Sequence, residues 1–588
     1  MKKPNIIFVL TDDQGYGDLG CHGNNMIKTP NIDLFYEEST RLANFHVGPT
    51  CAPTRSGLMT GHYANSTGVW HTIGGRSLLR KDEWTIANAL KENGYSTGIF
   101  GKWHLGDEYP YRPMDRGFDK SIVHGGGGIG QTPDCWGNDY FDDSYYVNGK
   151  PCKFNGYCTD VFFDEAMKYM KEKIDEDQPF FCYLPTNAPH LPYNVEDKYA
   201  DQYRGKVPED RARFYGMISN IDENFARLKN KLMQWGILDD TILIFMTDNG
   251  SSCAATLDAD EFVLEGYNAG FRGMKNSEYD GGHRVPFFIS WPNGGLAKGF
   301  DVNTVTANID FMPTILDLCH IPVKEGIEFH GKSLTPLFQE NAIWSERTLV
   351  TDSQRLTNPL KWRKSAVMTD RWRLVNGREL YDMSADLEQR HELSSQYPQV
   401  VSKLREEYNH WWNLVSEKFD EPIPIVLSEI ETTMTSHDMR NEECEVAWNQ
   451  GLVRQGKKVN GYFEIEVKTE ACYRIELRRW PKTENRAIVS DIKGDDIEFR
   501  RDFIQEKNWG DYTGGESLNI TKATLHIQGQ TKTCLVKADD DCAAFEVDLV
   551  AGITDLKAWF SDDDNFCTAA YYIDVKLLPT GAIRGERI

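Results

Sequence analysis

The sequence predicts an α/β protein in three parts. These are a mostly parallel sheet flanked by helices, a small antiparallel sheet covered by a helix, and a C-terminal β-sandwich. Three observations predict this. Over residues 1–345 short apolar runs alternate with helical patterns, the rhythm of a parallel sheet with crossover helices. Over 346–425 short strands surround the hairpin signal Asn376-Gly377, and a long helical pattern follows. Over 430–588 apolar residues recur with period two between turn residues, as in a sandwich.

Each element has its own signal. Ile6–Leu10 and Ile242–Met246 are apolar runs of buried-strand length. Helices are expected over Trp84–Asn93 and Arg211–Trp235, where Gly94 and Gly236 stand just past the periodic run as stop signals, and over Val161–Lys173 and Phe311–Leu318. The middle part should hold strands Ser365–Thr369, Trp372–Val375 and Glu379–Tyr381, and a helix Val400–Lys418. Glu421-Pro-Ile-Pro reads as a linker. Strand alternation then runs through Phe463/Ile465/Val467, Tyr473/Ile475/Leu477, Phe545/Val547/Leu549 and Tyr571/Ile573/Val575/Leu577.

Composition excludes several classes. The 588 residues carry 65 basic and 89 acidic side chains, a net charge of −24, with no basic face to offer a nucleic acid. No apolar run is long enough to span a membrane. The thirteen cysteines have no paired Cys-x-x-Cys spacing, so neither a zinc site nor a disulfide framework is expected. The start, Met-Lys-Lys-Pro, leads straight into a strand without the apolar core of a signal peptide. A cytoplasmic location is expected if the chain is complete, and a periplasmic or secreted one if a signal was removed.

The chemistry gathers at strand ends. Asn5–Leu10 runs into Thr11-Asp12-Asp13, Thr97–Phe100 into Gly101-Lys102-Trp103-His104, Phe180–Leu184 into Pro185 through His190, and Thr241–Met246 into Thr247-Asp248-Asn249-Gly250. Ligands of open α/β sheets bind outside the carboxyl ends of the strands, so four parallel strands would bring these clusters to one edge. Asp12, Asp13, Asp248 and Asn249 offer only oxygen, which suits Ca²⁺, with Mg²⁺ possible. Pro53 favours a helix start, which puts Cys51 at a helix N-terminus, where anions are welcome.

Cys51-x-Pro53-x-Arg55 with Met59-Thr60-Gly61 resembles the signature of the type I sulfatases of the alkaline phosphatase superfamily. Gly94 through Gly106, the opening Pro4 to Asp13, Thr247-Asp248-Asn249-Gly250, and Lys275 ahead of Tyr279-Asp-Gly-Gly282 fit the same family in the same order. His283 stands where the family more often has an apolar residue. The resemblance implies an alkaline-phosphatase-like sheet and a sulfuric ester hydrolase. It implies that a maturating enzyme oxidises Cys51 to formylglycine, whose hydrate attacks sulfur with one hydroxyl and expels sulfate with the other. By the same resemblance the cation binds residue 51 with Asp12, Asp13, Asp248 and Asn249. Arg55, Lys102 and Lys275 would balance charge, His104 would serve the hydrate, and His190 with Lys275 would protonate the leaving oxygen. The expected substrate is a sulfated saccharide, from whose chain end the enzyme removes sulfate. Rival readings are a phosphodiesterase or phosphonate monoester hydrolase of the superfamily, and an inactive protein that binds sulfated glycans. His71, Arg76, His124, Trp136 and Trp480 are candidates for a sugar site.

Overall fold

The structure is a computed structural model that describes residues 3–296, 298–339, 344–494, 514–563 and 565–579. Its centre is a ten-stranded sheet. Five neighbouring strands run parallel, in the order Thr241–Thr247, Asn5–Thr11, Phe180–Pro185, Ser96–Lys102 and Lys120–His124. The strand Phe287–Ser290 continues the sheet antiparallel beyond Thr241–Thr247.

Both faces of the sheet are covered, and the first strand shows why it must be apolar throughout. Ile7 and Val9 point to one face, among side chains of the helices Cys158–Asp175 and Glu209–Gln234. Ile6, Phe8 and Leu10 point to the other, against the helices Cys51–Thr60 and Phe311–Leu318. Successive side chains alternate sides, so a strand packed on both faces is an unbroken hydrophobic run. The sheet register puts Thr11 beside Thr247, and Leu10 beside Pro185, so the polar loops after these strands start level.

The expected helices are present with shifted ends. Phe311–Leu318 stands as expected; the others run Ile86–Glu92, Cys158–Asp175 and Glu209–Gln234. A four-stranded antiparallel sheet holds Leu349–Asp352, Ser365–Met368, Trp372–Val375 and Glu379–Asp382, with the helix Pro398–Ser416 packed on it. Asn376 and Gly377 both take positive φ, +51° and +66°, as a two-residue hairpin turn requires.

The C-terminal part is two sheets, one of six strands and one of four, around a shared core. Phe463, Ile465, Val467, Tyr473, Ile475 and Leu477 all lie in that core, as their spacing requires. Its first strand, Ile425–Leu427, directly follows the segment read as linker, ahead of the expected start at 430, and pairs with Phe463–Val467. Leu78 and Tyr111 of the first part pack in the same core, and the Tyr111 hydroxyl donates to the Pro424 carbonyl at 2.6 Å. The thirteen cysteines are all free thiols. No helix among the described residues is long and apolar enough to cross a membrane.

Candidate active site

The parallel strands deliver their polar ends to one place. Asp12 and Asp13 follow the strand Asn5–Thr11, Lys102 ends Ser96–Lys102, and Asp248 follows Thr241–Thr247. The Asp13 N–H donates to Asp248 Oδ1 at 3.0 Å, which locks the two strand ends together. Gly101 has φ +130°, and a Cβ there would lie 1.8 Å from the Pro185 carbonyl oxygen. Only glycine lets the Lys102 strand pass that close. Asp13 and His104 take φ of +66° and +61°, left-handed backbone that non-glycine residues adopt at a cost and that clusters at functional sites.

Asp12, Asp13 and Asp248 each present a carboxylate oxygen within 4.8 Å of the others, and all three are fully buried. Cations share out this charge. Arg55 Nη2 meets Asp248 Oδ2 at 2.7 Å, Lys102 pairs with Asp12, and Lys275 Nζ meets Asp13 Oδ2 at 2.6 Å. Asn249 donates to Asp13 Oδ1 at 2.9 Å. Burial and the charge of Asp12 push Asp248 up to about 7, although Arg55 and Lys102 oppose this. Burial works on Asp13 in the same sense, but Lys275, His190 and Lys102 carry it below the usual carboxylate range.

Two buried oxygens, Asp12 Oδ1 and Asn249 Oδ1, accept no hydrogen bond from the protein. Unsatisfied buried acceptors beside mutually repelling carboxylates, with no sulfur or imidazole in the set, are what a hard divalent cation satisfies. The donor set Asp12, Asp13, Asp248 and Asn249 therefore fits such an ion. A second trio, His46, Asp280 and His283, also brings its ligand atoms together. There Arg373 ion-pairs with Asp280 at 2.9 Å and fills the position a cation would take.

Cys51 opens the helix Cys51–Thr60, as Pro53 leads one to expect, and is 3% exposed. Burial pushes its thiol above the ordinary value, although Lys102 pulls the other way. Arg55, one turn on, is anchored by the Lys102 carbonyl as well as Asp248. His104 Nε2 lies 2.9 Å from the Thr72 carbonyl, so this nitrogen carries the proton. Its Nδ1 is a buried, unpartnered base, and burial with Lys102 nearby holds the ring neutral. His190 Nδ1 donates to the Leu191 carbonyl at 2.7 Å, which turns Nε2 toward Asp13 Oδ2, 3.7 Å away. Burial, Lys275 and Lys102 lower His190 to about 3. Burial alone would lower Lys275, but Asp13 raises it, so it remains an ammonium.

Every expected site residue thus belongs to this one cluster. The expected sugar-contact residues divide differently. His71, Arg76, His124 and Trp480 are buried, and Trp480 packs in the sandwich core. Arg76 lies over Trp70 and donates to the Thr357 carbonyl at 2.9 Å. Only Trp136 is partly open. Sequence reasoning missed Thr72, which orients His104, and Trp448 and Asn449, which the sandwich places beside His190. Nothing local in the sequence marks them, because their partners are remote along the chain.

Comparison with known proteins agrees with this geometry. Residues 4–321 match the family described as Sulfatase, and residues 274–413 match N-sulphoglucosamine sulphohydrolase, C-terminal. Arylsulfatase J of Mus musculus is 28% identical over 462 residues, 68% of this chain and 74% of that protein. The ulvan-active sulfatase of Formosa agariphila is 29% identical over 360 residues, 57% of this chain and 65% of that protein. The crystal structure of Ps i-CgsB in complex with k-i-k-neocarrahexaose superposes with a TM-score of 0.62 at 26% identity, over 71% of this chain and 98% of that one. With the family match covering more than half of its residues, the chain belongs to the type I sulfatase family of the alkaline phosphatase superfamily and is a sulfatase.

Proposed function

We propose that this sulfatase acts on carbohydrate sulfates, with Cys51 oxidised to formylglycine as the nucleophilic residue and one Ca²⁺, or Mg²⁺, held by Asp12, Asp13, Asp248 and Asn249. The observation that carries this reading is the position of Cys51: at a buried helix N-terminus, ringed by Arg55, Lys102, Lys275 and an all-oxygen donor set. A thiol whose acidity burial suppresses is a poor nucleophile as it stands, and the hydrate of an aldehyde supplies an oxygen nucleophile instead. The ion, when bound, supplies Lewis acidity and orients the sulfate. The ulvan-active relative and the neocarrahexaose-bound neighbour bear names that point to carbohydrate, which supports the substrate class.

The chain's own residues supply the rest. Arg55, Lys102 and Lys275 are fixed cations in a dry site, the arrangement that stabilises charge on a transferring group. The free Nδ1 of His104 is a base ready to take a hydroxyl proton from residue 51. Lys275 carries the proton for the leaving oxygen in the free enzyme. His190 joins it when the incoming sulfate ester adds negative charge beside its Nε2. The test is sulfate release from defined sulfated mono- and oligosaccharides by protein made with a maturating enzyme. Activity on at least one such sugar is expected, lost in Cys51→Ala and on chelation. Activity on nitrophenyl sulfate alone would reject the carbohydrate reading, and full activity of Cys51→Ala would reject the nucleophile.

A further inference from the structure

The charged groups around Cys51 are closed off on one side and open on another. Arg55 and Lys102 are shut off from solvent, whereas the side chains of Lys275 and His190 are partly open. A saccharide that carries the sulfate ester therefore lies toward Lys275, and what stands beyond Lys275 bears on which saccharide fits.

The residue after Lys275 is Asn276. Its N–H donates at 2.9 Å to the carbonyl of Pro49, two residues before Cys51, so it belongs to the rim of the same pocket. Its Oδ1 accepts from Arg355 Nη1 at 2.8 Å. Arg355 comes from the second part of the chain, on the loop after the strand Leu349–Asp352. Its own N–H donates to the Trp70 carbonyl at 3.2 Å. Two residues beyond Trp70 is Thr72, whose carbonyl holds His104. Arg355 thus spans from the segment that carries Lys275 to the segment that orients His104.

The loop that presents Arg355 is fixed. The buried Gln354 side chain accepts from the Leu360 N–H at 2.8 Å and donates to the Leu360 carbonyl at 3.1 Å. Arg363 donates to the Gln354 carbonyl at 2.6 Å. Arg355 itself is exposed, and among the described residues no carboxylate pairs with it. Lys364, on the same loop, is matched by Glu278 at 3.2 Å. A guanidinium offers five N–H donors in a rigid fork, and Asn276 engages only part of it. In a chain of net charge −24, an anchored and unmatched arginine next to Lys275 is a place that attracts an anion. On the reading above, the reacting sulfate is met by Arg55, Lys102 and Lys275, so the anion at Arg355 is a second one.

We propose that Arg355 is a specificity-determining residue that binds a second anionic group of the substrate, a carboxylate or another sulfate. The substrate is then a saccharide with two negative charges. Oxygens of either group can take two parallel bonds from the guanidinium fork. The inference rests on the reading of the protein as a carbohydrate sulfatase and adds to it the charge of the sugar.

The test measures sulfate release by the full-length protein made with a maturating enzyme, on three sets of sugars. The first is N-acetylglucosamine 6-sulfate and N-acetylgalactosamine 6-sulfate, with no other charge. The second is glucosamine N,6-disulfate and N-acetylgalactosamine 4,6-disulfate. The third joins glucuronate to each sugar of the first set. At least one doubly charged set is expected to show a kcat/KM about tenfold above the first, the worth of a hydrogen bond to a charged group. The overall charge of the chain would by itself make doubly charged sugars the poorer substrates, so the direction of the preference is diagnostic. Arg355→Gln should remove most of the preference, chiefly through KM, and Arg355→Lys, which keeps the charge but not the fork, should restore part of it. The set that loses the preference identifies the anion as carboxylate or sulfate. A purely structural role for Arg355 would lower all three sets alike. The proposal is overturned by that result, by equal or faster hydrolysis of the singly charged sugars, or by a preference that survives Arg355→Gln. Hydrolysis of nitrophenyl sulfate with none of the sugars cleaved would instead reject the carbohydrate reading, and this inference with it.

Discussion

At the scale of single residues, the site is built from groups held out of their ordinary ionisation ranges. Asp248 is the clearest case: burial and Asp12 push it to about 7, against about 3.9 in an unfolded chain. Between those values the folded state binds more protons than the unfolded one, so stability falls as pH rises through this window. Asp13 behaves in the opposite sense. Its lowered value leaves its contribution intact above the unfolded range and lost only in acid. A cation on the carboxylates requires Asp248 ionised and relieves the repulsion. In chelated protein the melting temperature is therefore expected to fall between pH 5.5 and 8, and the rise on adding Ca²⁺ to be larger at pH 8 than at pH 5.5. Scanning calorimetry with and without Ca²⁺ measures this. An equal rise at both pH values would show that Asp248 is already ionised or is not a ligand.

At the scale of elements, the helix Cys51–Thr60 is the decisive one, because it is buried at all ten positions. Gly57 even abuts the Asn308 side chain, whose amide donates to the Thr54 carbonyl at 2.9 Å. On the proposed oxidation of Cys51, a maturating enzyme is therefore expected to act before this helix packs. Co-expression with a maturating enzyme should yield a hydrazide-reactive Cys51 peptide, whereas adding that enzyme to purified folded protein should yield none; peptide mass spectrometry distinguishes them. Conversion of the folded protein would mean that the helix opens readily. Elements were legible in the sequence where local pattern decided them. Phe311–Leu318 and the Asn376-Gly377 turn needed nothing beyond periodicity and turn chemistry. The helix expected over Val400–Lys418 begins instead at Pro398, because proline fits the first turn, where its missing N–H is not needed. The strand ends with Asp12, Lys102 and Asp248 could be read because apolar runs stop abruptly at polar clusters. The approach of Thr72 to His104, and of Trp448 to His190, could not, since these depend on how separate parts dock.

At the scale of the whole molecule, charge and burial together bear on how substrate is engaged. The chain carries −24, while the cations proposed to meet the sulfate are internal: the Arg55 and Lys102 side chains are 0% exposed and that of Lys275 18%. A sulfated polymer lying along the surface would meet the repulsive field over its length. A terminal sulfated sugar entering the pocket would meet mainly these three cations, with more distant repulsion screened beyond roughly 8 Å at physiological salt. We therefore expect the enzyme to act from chain ends, with little gain from chain length. At matched sulfate concentration, a terminal disaccharide should release sulfate at least as fast as the polymer from which it comes. Added salt should raise the polymer rate more than the disaccharide rate, because it screens the surface more than the buried pocket. Size analysis of the products with sulfate quantification decides the matter. Faster release from internal positions of the intact polymer would show that the surface charge is arranged to guide a long chain and would overturn the end-acting reading.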